Sequence, residues 1–173
     1  MKIGHLLANI RSFVFIMKIT LLSIGKTEES YLKDGIDKYL SRLKHYIKFE
    51  VTEIPELKNT KALSEQQQKV KEAELIFKNT ATTDHIVLLD ENGQELTSVA
   101  FAQLLNKKMT ASVQNLVFVI GGPYGFDESV YKRANGKVSL SQMTFSHQMV
   151  RLFFVEQVYR AFTILKGEPY HHQ

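Results

Sequence analysis

Leu140–Leu165 reads LSQMTFSHQMVRLFFVEQVYRAFTIL. Its first residues close an apolar strand, and a short polar, sulfur-bearing loop follows. From His147 to Leu165 the spacing predicts a helix that is apolar nearly all round, with Ser146 placed to cap it. Such a helix has to be covered on every side. A sheet can cover one side, and a second copy of the chain is expected to cover the other, giving a two-fold homodimer through this helix. A simple core helix is the alternative.

Two earlier loops resemble the start of this stretch. LDENG at Leu89–Gly93 and GGPYG at Gly121–Gly125 also follow apolar runs, Ile86–Leu89 and Leu116–Ile120. Continuous apolar strands are buried on both faces, which predicts a central, mostly parallel sheet with helices on both sides. The rest of the chain alternates to match. Lys18–Ile24 and Ile47–Ile54 read as strands, and Lys137–Leu140 as a brief third. Helices are expected over Glu28–Tyr46, Ser64–Lys78 and Thr97–Met109, with a short one after Asp127. On Ser64–Lys78 the inward stripe is read as Leu63, Val70, Ala73 and Phe77. This is an α/β pattern. Ligands of open α/β sheets bind beyond the carboxyl ends of the strands, so the three loops are expected to share one site.

The composition of those loops suits a nucleoside-like ligand. Gly121 and Gly122 remove side chains that would hold a flat ring away from the backbone. Leu140–Phe145 offers free backbone groups together with Met143 and Phe145, which can meet an adenine edge and cover its faces. Taken singly, each loop is equally a plain strand-to-helix turn. GGPYG is neither GxGxxG nor a phosphate-binding P-loop, which counts against a dinucleotide enzyme. Asp90 can reach a ribose hydroxyl or simply begin its own turn.

With 173 residues, 44% hydrophobic and 23% charged, the composition is that of a globular domain and excludes a disordered chain. One domain is expected over 17–173. Residues 1–16 read poorly as a signal peptide, because Arg11 interrupts their apolar run and no small-residue cleavage site follows; the expectation is that Met17 is the natural start or that they are a loose extension outside the fold. There is no cysteine, which fits a reducing cytoplasm and excludes thiolate chemistry. A net charge of +4 mildly favours a nucleic-acid partner. No apolar run approaches membrane-spanning length.

Arg151 stands nearly opposite the expected Glu156–Arg160 pair on the last helix, one turn in from the ligand loops. A buried cation needs a partner. That partner is either a carboxylate of the fold or a phosphate or carbonyl of the substrate. The tail, Gly167–Gln173, carries Tyr170, His171 and His172, groups that can donate or move protons. Adjacent histidines without a third ligand at a fitting spacing argue against a metal. His147 is read first as structural.

Several motifs together resemble one family. They are the MKI…IGK start at Met17, Leu89-Asp90, VFVIGGPYG at Val117–Gly125, LSQMTFSHQMVR at Leu140–Arg151, EQVYRAF at Glu156–Phe162 and EPYHH at Glu168–His172. The chain is similar over Met17–Gln173 to the small SPOUT-class methyltransferases that methylate N3 of a pseudouridine in 23S ribosomal RNA, the RlmH (YbeA-like) family. Ser146 departs from the proline that many members carry, and the first sixteen residues lie outside the family pattern.

The resemblance implies a SPOUT-type α/β fold whose last helix threads a C-terminal trefoil knot, a homodimer, and action on 23S rRNA within the assembled ribosome. It implies S-adenosylmethionine as cofactor, bound by Leu89, Gly121 and the run Leu140, Ser141, Gln142, Met143, Thr144 and Phe145. Arg151 becomes the candidate to stabilise the N3 anion or grip a phosphate. Tyr170 or His171 becomes the candidate to take the N3 proton or orient the base. The competing readings are a non-catalytic ribosome- or RNA-binding module and a knotted methyltransferase acting on transfer RNA.

Overall fold

The computed structural model describes residues 17–172. The expectation for residues 1–16 therefore lies outside the described residues. The elements are β1 (Lys18–Ile24), α1 (Ser30–Leu43), β2 (Lys48–Ile54), a one-turn 3-10 helix (Thr60–Ala62), α2 (Glu65–Lys78), β3 (His85–Glu95), α3 (Ser98–Thr110), β4 (Asn115–Ile120), α4 (Glu128–Arg133), β5 (Gly136–Ser139) and α5 (His147–Lys166). All five strands pair in parallel, in the order β2-β1-β4-β3-β5.

The continuous apolar runs are buried on both faces, as that composition demands. In β4, Leu116, Phe118 and Ile120 point to one side, where they pack with Ile36 and Leu43 of α1, Phe101 and Leu105 of α3, and Phe154, Val158 and Phe162 of α5. Val117 and Val119 point to the other side, toward Ala73 and Ile76 of α2 and Val130 of α4. Three helices thus cover one face and two the other.

Side-chain caps mark the helix starts. Ser64 and Gln67 form a reciprocal capping box on α2, Asp127 caps α4, and Ser146 accepts from Met149 N–H at the head of α5. Gln148 of α5 reaches across to accept from the backbone N–H groups of Glu28 and Glu29, at 2.8 and 3.2 Å. That contact ties the starts of α1 and α5 together.

Two expectations change. The stripe expected on α2 is out of phase: Val70 and Phe77 are exposed, while Glu72, Ala73 and Ile76 are buried. Placing a carboxylate at a core position breaks the apolar periodicity on which the reading relied. The second change is in β3, which continues past Leu89 to Glu95. Leu89 and Gln94 both pair with Val138, so Asp90–Gly93 bulges out between two registers. Gly93 permits this, because a Cβ there would stand 2.6–2.7 Å from the backbone of Val138 and Ser139. One side of α5 is buried on the face shared with α1 and α3, while Met149, Val150, Leu152, Tyr159, Ile164 and Leu165 are half-buried and Phe153 is exposed.

Candidate functional site

The three loops that follow β3, β4 and β5 do come together. A cavity of about 420 Å³ is lined by Leu89–Asn92, Ile120–Phe126, Tyr131, Ser139–Ser141, Met143–Phe145, His147 and Val150. The volume falls in the range of small-molecule sites. Its position beyond the strand ends follows from the parallel sheet: every strand points its carboxyl end at the same edge.

Of the expected cofactor residues, Leu89, Gly121, Leu140, Ser141, Met143, Thr144 and Phe145 line this cavity. Gln142 is not among them; it is exposed, and its amide donates to Glu95 at 3.1 Å. Met143 is 74% exposed, so its thioether projects over the cavity free of packing. Ser141 Oγ accepts from the Met143 N–H at 2.9 Å, and Ser139 Oγ donates to the Ser141 carbonyl at 3.0 Å. These bonds hold the run in a tight turn. Asp90 takes the local role: it accepts from Asn92 N–H at 2.8 Å and from the Tyr131 hydroxyl. Burial and the Asp90 carboxylate push the Tyr131 phenol up to about 12.

His147 opens α5 on the cavity wall. Desolvation, followed by the nearby Arg151 charge, lowers its pKa from the ordinary value, while Glu56 and the Gly121 backbone act the other way.

Arg151 does not reach this cavity. It is 1% exposed, and its guanidinium donates to Thr27 Oγ1 at 2.8 Å, the Ile24 carbonyl at 3.0 Å and Glu53 Oε1 at 3.3 Å. Glu53 also accepts from the Thr27 N–H and hydroxyl, both at 2.8 Å. Of the two partners open to Arg151 on sequence grounds, the fold supplies the carboxylate. Its Nε–H is left without a partner.

Tyr170 and His171 also stand apart from the cavity lining. The tail folds back along α5. Tyr170 donates to Glu156 at 3.0 Å and shares a 3.3 Å contact with the Tyr39 hydroxyl; His171 Nδ1 lies 3.4 Å from Arg160 Nη1. Glu156 is roughly two and a half turns past His147, about 14 Å along the helix axis. Tyr46 donates to Glu168, which pushes the Tyr46 phenol up to about 12. Burial, then the Tyr39 and Glu156 contacts, raises the Tyr170 phenol further.

Among the described residues no group of three or more His, Asp or Glu is placed to hold a metal ion, and no helix is long and apolar enough to cross a membrane.

With this geometry in place, comparison with known proteins decides the family. The family model described as "Predicted SPOUT methyltransferase" matches residues 17–171. The chain belongs to the SPOUT methyltransferase family. It is 61% identical to the ribosomal RNA large subunit methyltransferase H of Flavobacterium johnsoniae over 157 residues, which are 91% of this chain and 100% of the relative. The proteins of the same name from Flavobacterium psychrophilum and Parabacteroides distasonis are 60% and 59% identical over the same shares. In this SPOUT methyltransferase the cavity lies at the sheet's carboxyl edge, with Gly121, Gly122 and Gly125 in its lining. Sequence reasoning missed Glu72, which sits behind this cavity. The signal that could have found it was a helical spacing of Ala73 and Ile76 with Glu72, which share one face of α2.

Proposed function

We propose that the chain is an S-adenosylmethionine-dependent methyltransferase that modifies N3 of a pseudouridine in 23S ribosomal RNA of the assembled ribosome, working as a homodimer in the cytoplasm. One observation carries the reading. Three loops distant in sequence line a single nucleoside-sized cavity, in a chain 61% identical to a relative named as a ribosomal RNA large subunit methyltransferase.

When bound, the donor supplies an electrophilic methyl on a sulfonium sulfur. The chain supplies position. Leu89, Gly121 and Leu140–Phe145 hold the adenosyl group, Gln142 through its place in the run. Positioning of this kind can contribute on the order of 7–11 kcal/mol to a displacement. The N3 proton must also leave. Tyr170, with its phenol raised, stays protonated and orients the base through its O–H; His171 takes the proton. Arg151 acts through others: it locks the ends of β1 and β2 against the head of α5, on which the cavity wall is built.

Tyr170 and His171 reach a cavity only if a second copy presents them. A two-fold pair with α5 against α5 brings one chain's tail toward the other's loops. Phe153, exposed beside Phe145 at a ring-centroid distance of 5.0 Å, is a suitable contact for it. Threading of α5 through the preceding loop is part of the same proposal.

The test is transfer of labelled methyl from S-adenosylmethionine to ribosomes that lack the modification. The expected result is one methyl on N3 of a pseudouridine in 23S rRNA. Labelling of transfer RNA but not ribosomes would move the substrate. Absence of transfer to either, with ribosome binding intact, would leave a binding module.

A further inference from the structure

Behind the Gly121–Gly125 loop lies a carboxylate the site described so far does not use. Glu72 is 3% exposed on α2. Its Oε1 accepts from Gln68 Nε2 at 2.9 Å and its Oε2 has no partner of good geometry; the Gly122 N–H lies close enough to the carboxylate to offset part of its desolvation. The carboxyl lies flat against Gly122: a Cβ there would be 2.3 Å from Oε2, 2.4 Å from Oε1 and 2.6 Å from Cδ. Gly122 lines the donor cavity and also a second cavity of about 760 Å³ over the ends of β1, β2 and β4, in which Glu72 sits. Only the backbone of Gly122 therefore stands between Glu72 and the donor cavity at that point.

The surroundings do not cancel the charge. Glu56 from the segment after β2 faces the same space, with Glu28 and Glu29 beyond it; Lys26 lies on the same wall. Arg151 and His147 approach from α5, but Arg151 is already bound to Glu53. An unpaired carboxylate in a desolvated setting costs stability and acts strongly on any charge placed nearby. A leucine at this position would fill a core slot beside Ala73 and Ile76 without that cost.

We infer that Glu72 is the specificity-determining group that distinguishes the cationic methyl donor from its neutral product, acting through the side-chain-free wall at Gly122. The inference rests on the donor reading above. S-Adenosylmethionine carries a positive sulfonium, and S-adenosylhomocysteine carries a neutral sulfide. A negative group behind the cavity wall favours the first and is indifferent to the second. Burial holds the Glu72 carboxyl above its ordinary range, so this preference for the cation grows as pH rises and the carboxyl ionises.

Calorimetry on the full chain tests this, with both ligands and with Glu72→Gln, which keeps the shape and removes the charge. The expected result is a loss of about tenfold in S-adenosylmethionine affinity with S-adenosylhomocysteine affinity unchanged. Equal loss for both ligands marks a structural role and overturns the inference, as does no loss for either. The ratio of the two affinities on the wild type, followed from acid to neutral pH, gives a second arm that does not depend on the variant folding. A ratio that shifts toward S-adenosylmethionine as pH rises supports the inference. A flat ratio, or the same shift in Glu72→Gln, overturns it. Wild-type protein that binds neither ligand would bring down the donor reading as well.

Discussion

Two buried charged side chains line the same cavity over the ends of β1, β2 and β4, and they are treated in opposite ways. Arg151, on the three-helix face, meets a carboxylate, a hydroxyl and a carbonyl. Glu72, on the two-helix face, meets one amide of its own helix and the Gly122 backbone. The first is a cross-brace, joining α5 to the ends of β1 and β2. The second has no cation to answer it. A buried charge with partners is explained by the fold, and one without them calls for another reason to be there.

The contrast breaks most visibly at the brace. Arg151→Ala strands Glu53 and the Ile24 carbonyl and is expected to cost about 3–5 kcal/mol. Thermal or denaturant unfolding measures it, and Arg151→Met should recover part of the loss by restoring volume. If Arg151→Ala proved as stable as the wild type, the brace would be no brace. Next in size is Gly122→Ala, which drives a methyl into the Glu72 carboxyl and should cost about 1–3 kcal/mol. Combining it with Glu72→Ala should recover stability, a non-additivity that a double-mutant cycle in urea would read. Thr27→Val removes one of the Arg151 partners and should cost about 1 kcal/mol by the same measurement.

The smallest effect is a slope. Burial raises the folded-state pKa of Glu72 above the ordinary value of 4.5. The folded state therefore prefers the protonated group. The stability this contributes is present below the ordinary value and is lost as pH rises through the folded-state pKa. Glu72→Gln, which cannot ionise, should gain on the wild type over that interval. Melting temperatures of both proteins, followed from acid to neutral pH, check it; parallel curves would mean that Glu72 is already solvated.

Much of the fold is legible in the chain. Ile86–Leu89 and Leu116–Ile120 are apolar without alternation, so they had to be covered on both faces, and alternation with helices made the sheet parallel. From that, the meeting of LDENG, GGPYG and LSQMTFS at one edge follows by topology. Caps were equally readable: Asp127 and Ser146 stand where a short acceptor side chain precedes an apolar run. Legibility fails where a residue's partner lies in another element. Glu72 put the α2 stripe out of phase because its environment is the Gly122 backbone. The Asp90–Gly93 bulge depends on how closely β5 approaches Gly93.

Hydrophobic pattern and turn chemistry, both local, determined the order of elements, the parallel sheet and the edge that carries the site. Tertiary structure alone decided that Arg151 is answered by Glu53, that Tyr170 and His171 fold back beside Glu156 and Arg160, and that Glu72 lies bare behind Gly122. The reason is range: periodicity is written within a turn or two of chain, whereas the partner of a buried charge is chosen by which elements the crossovers bring together.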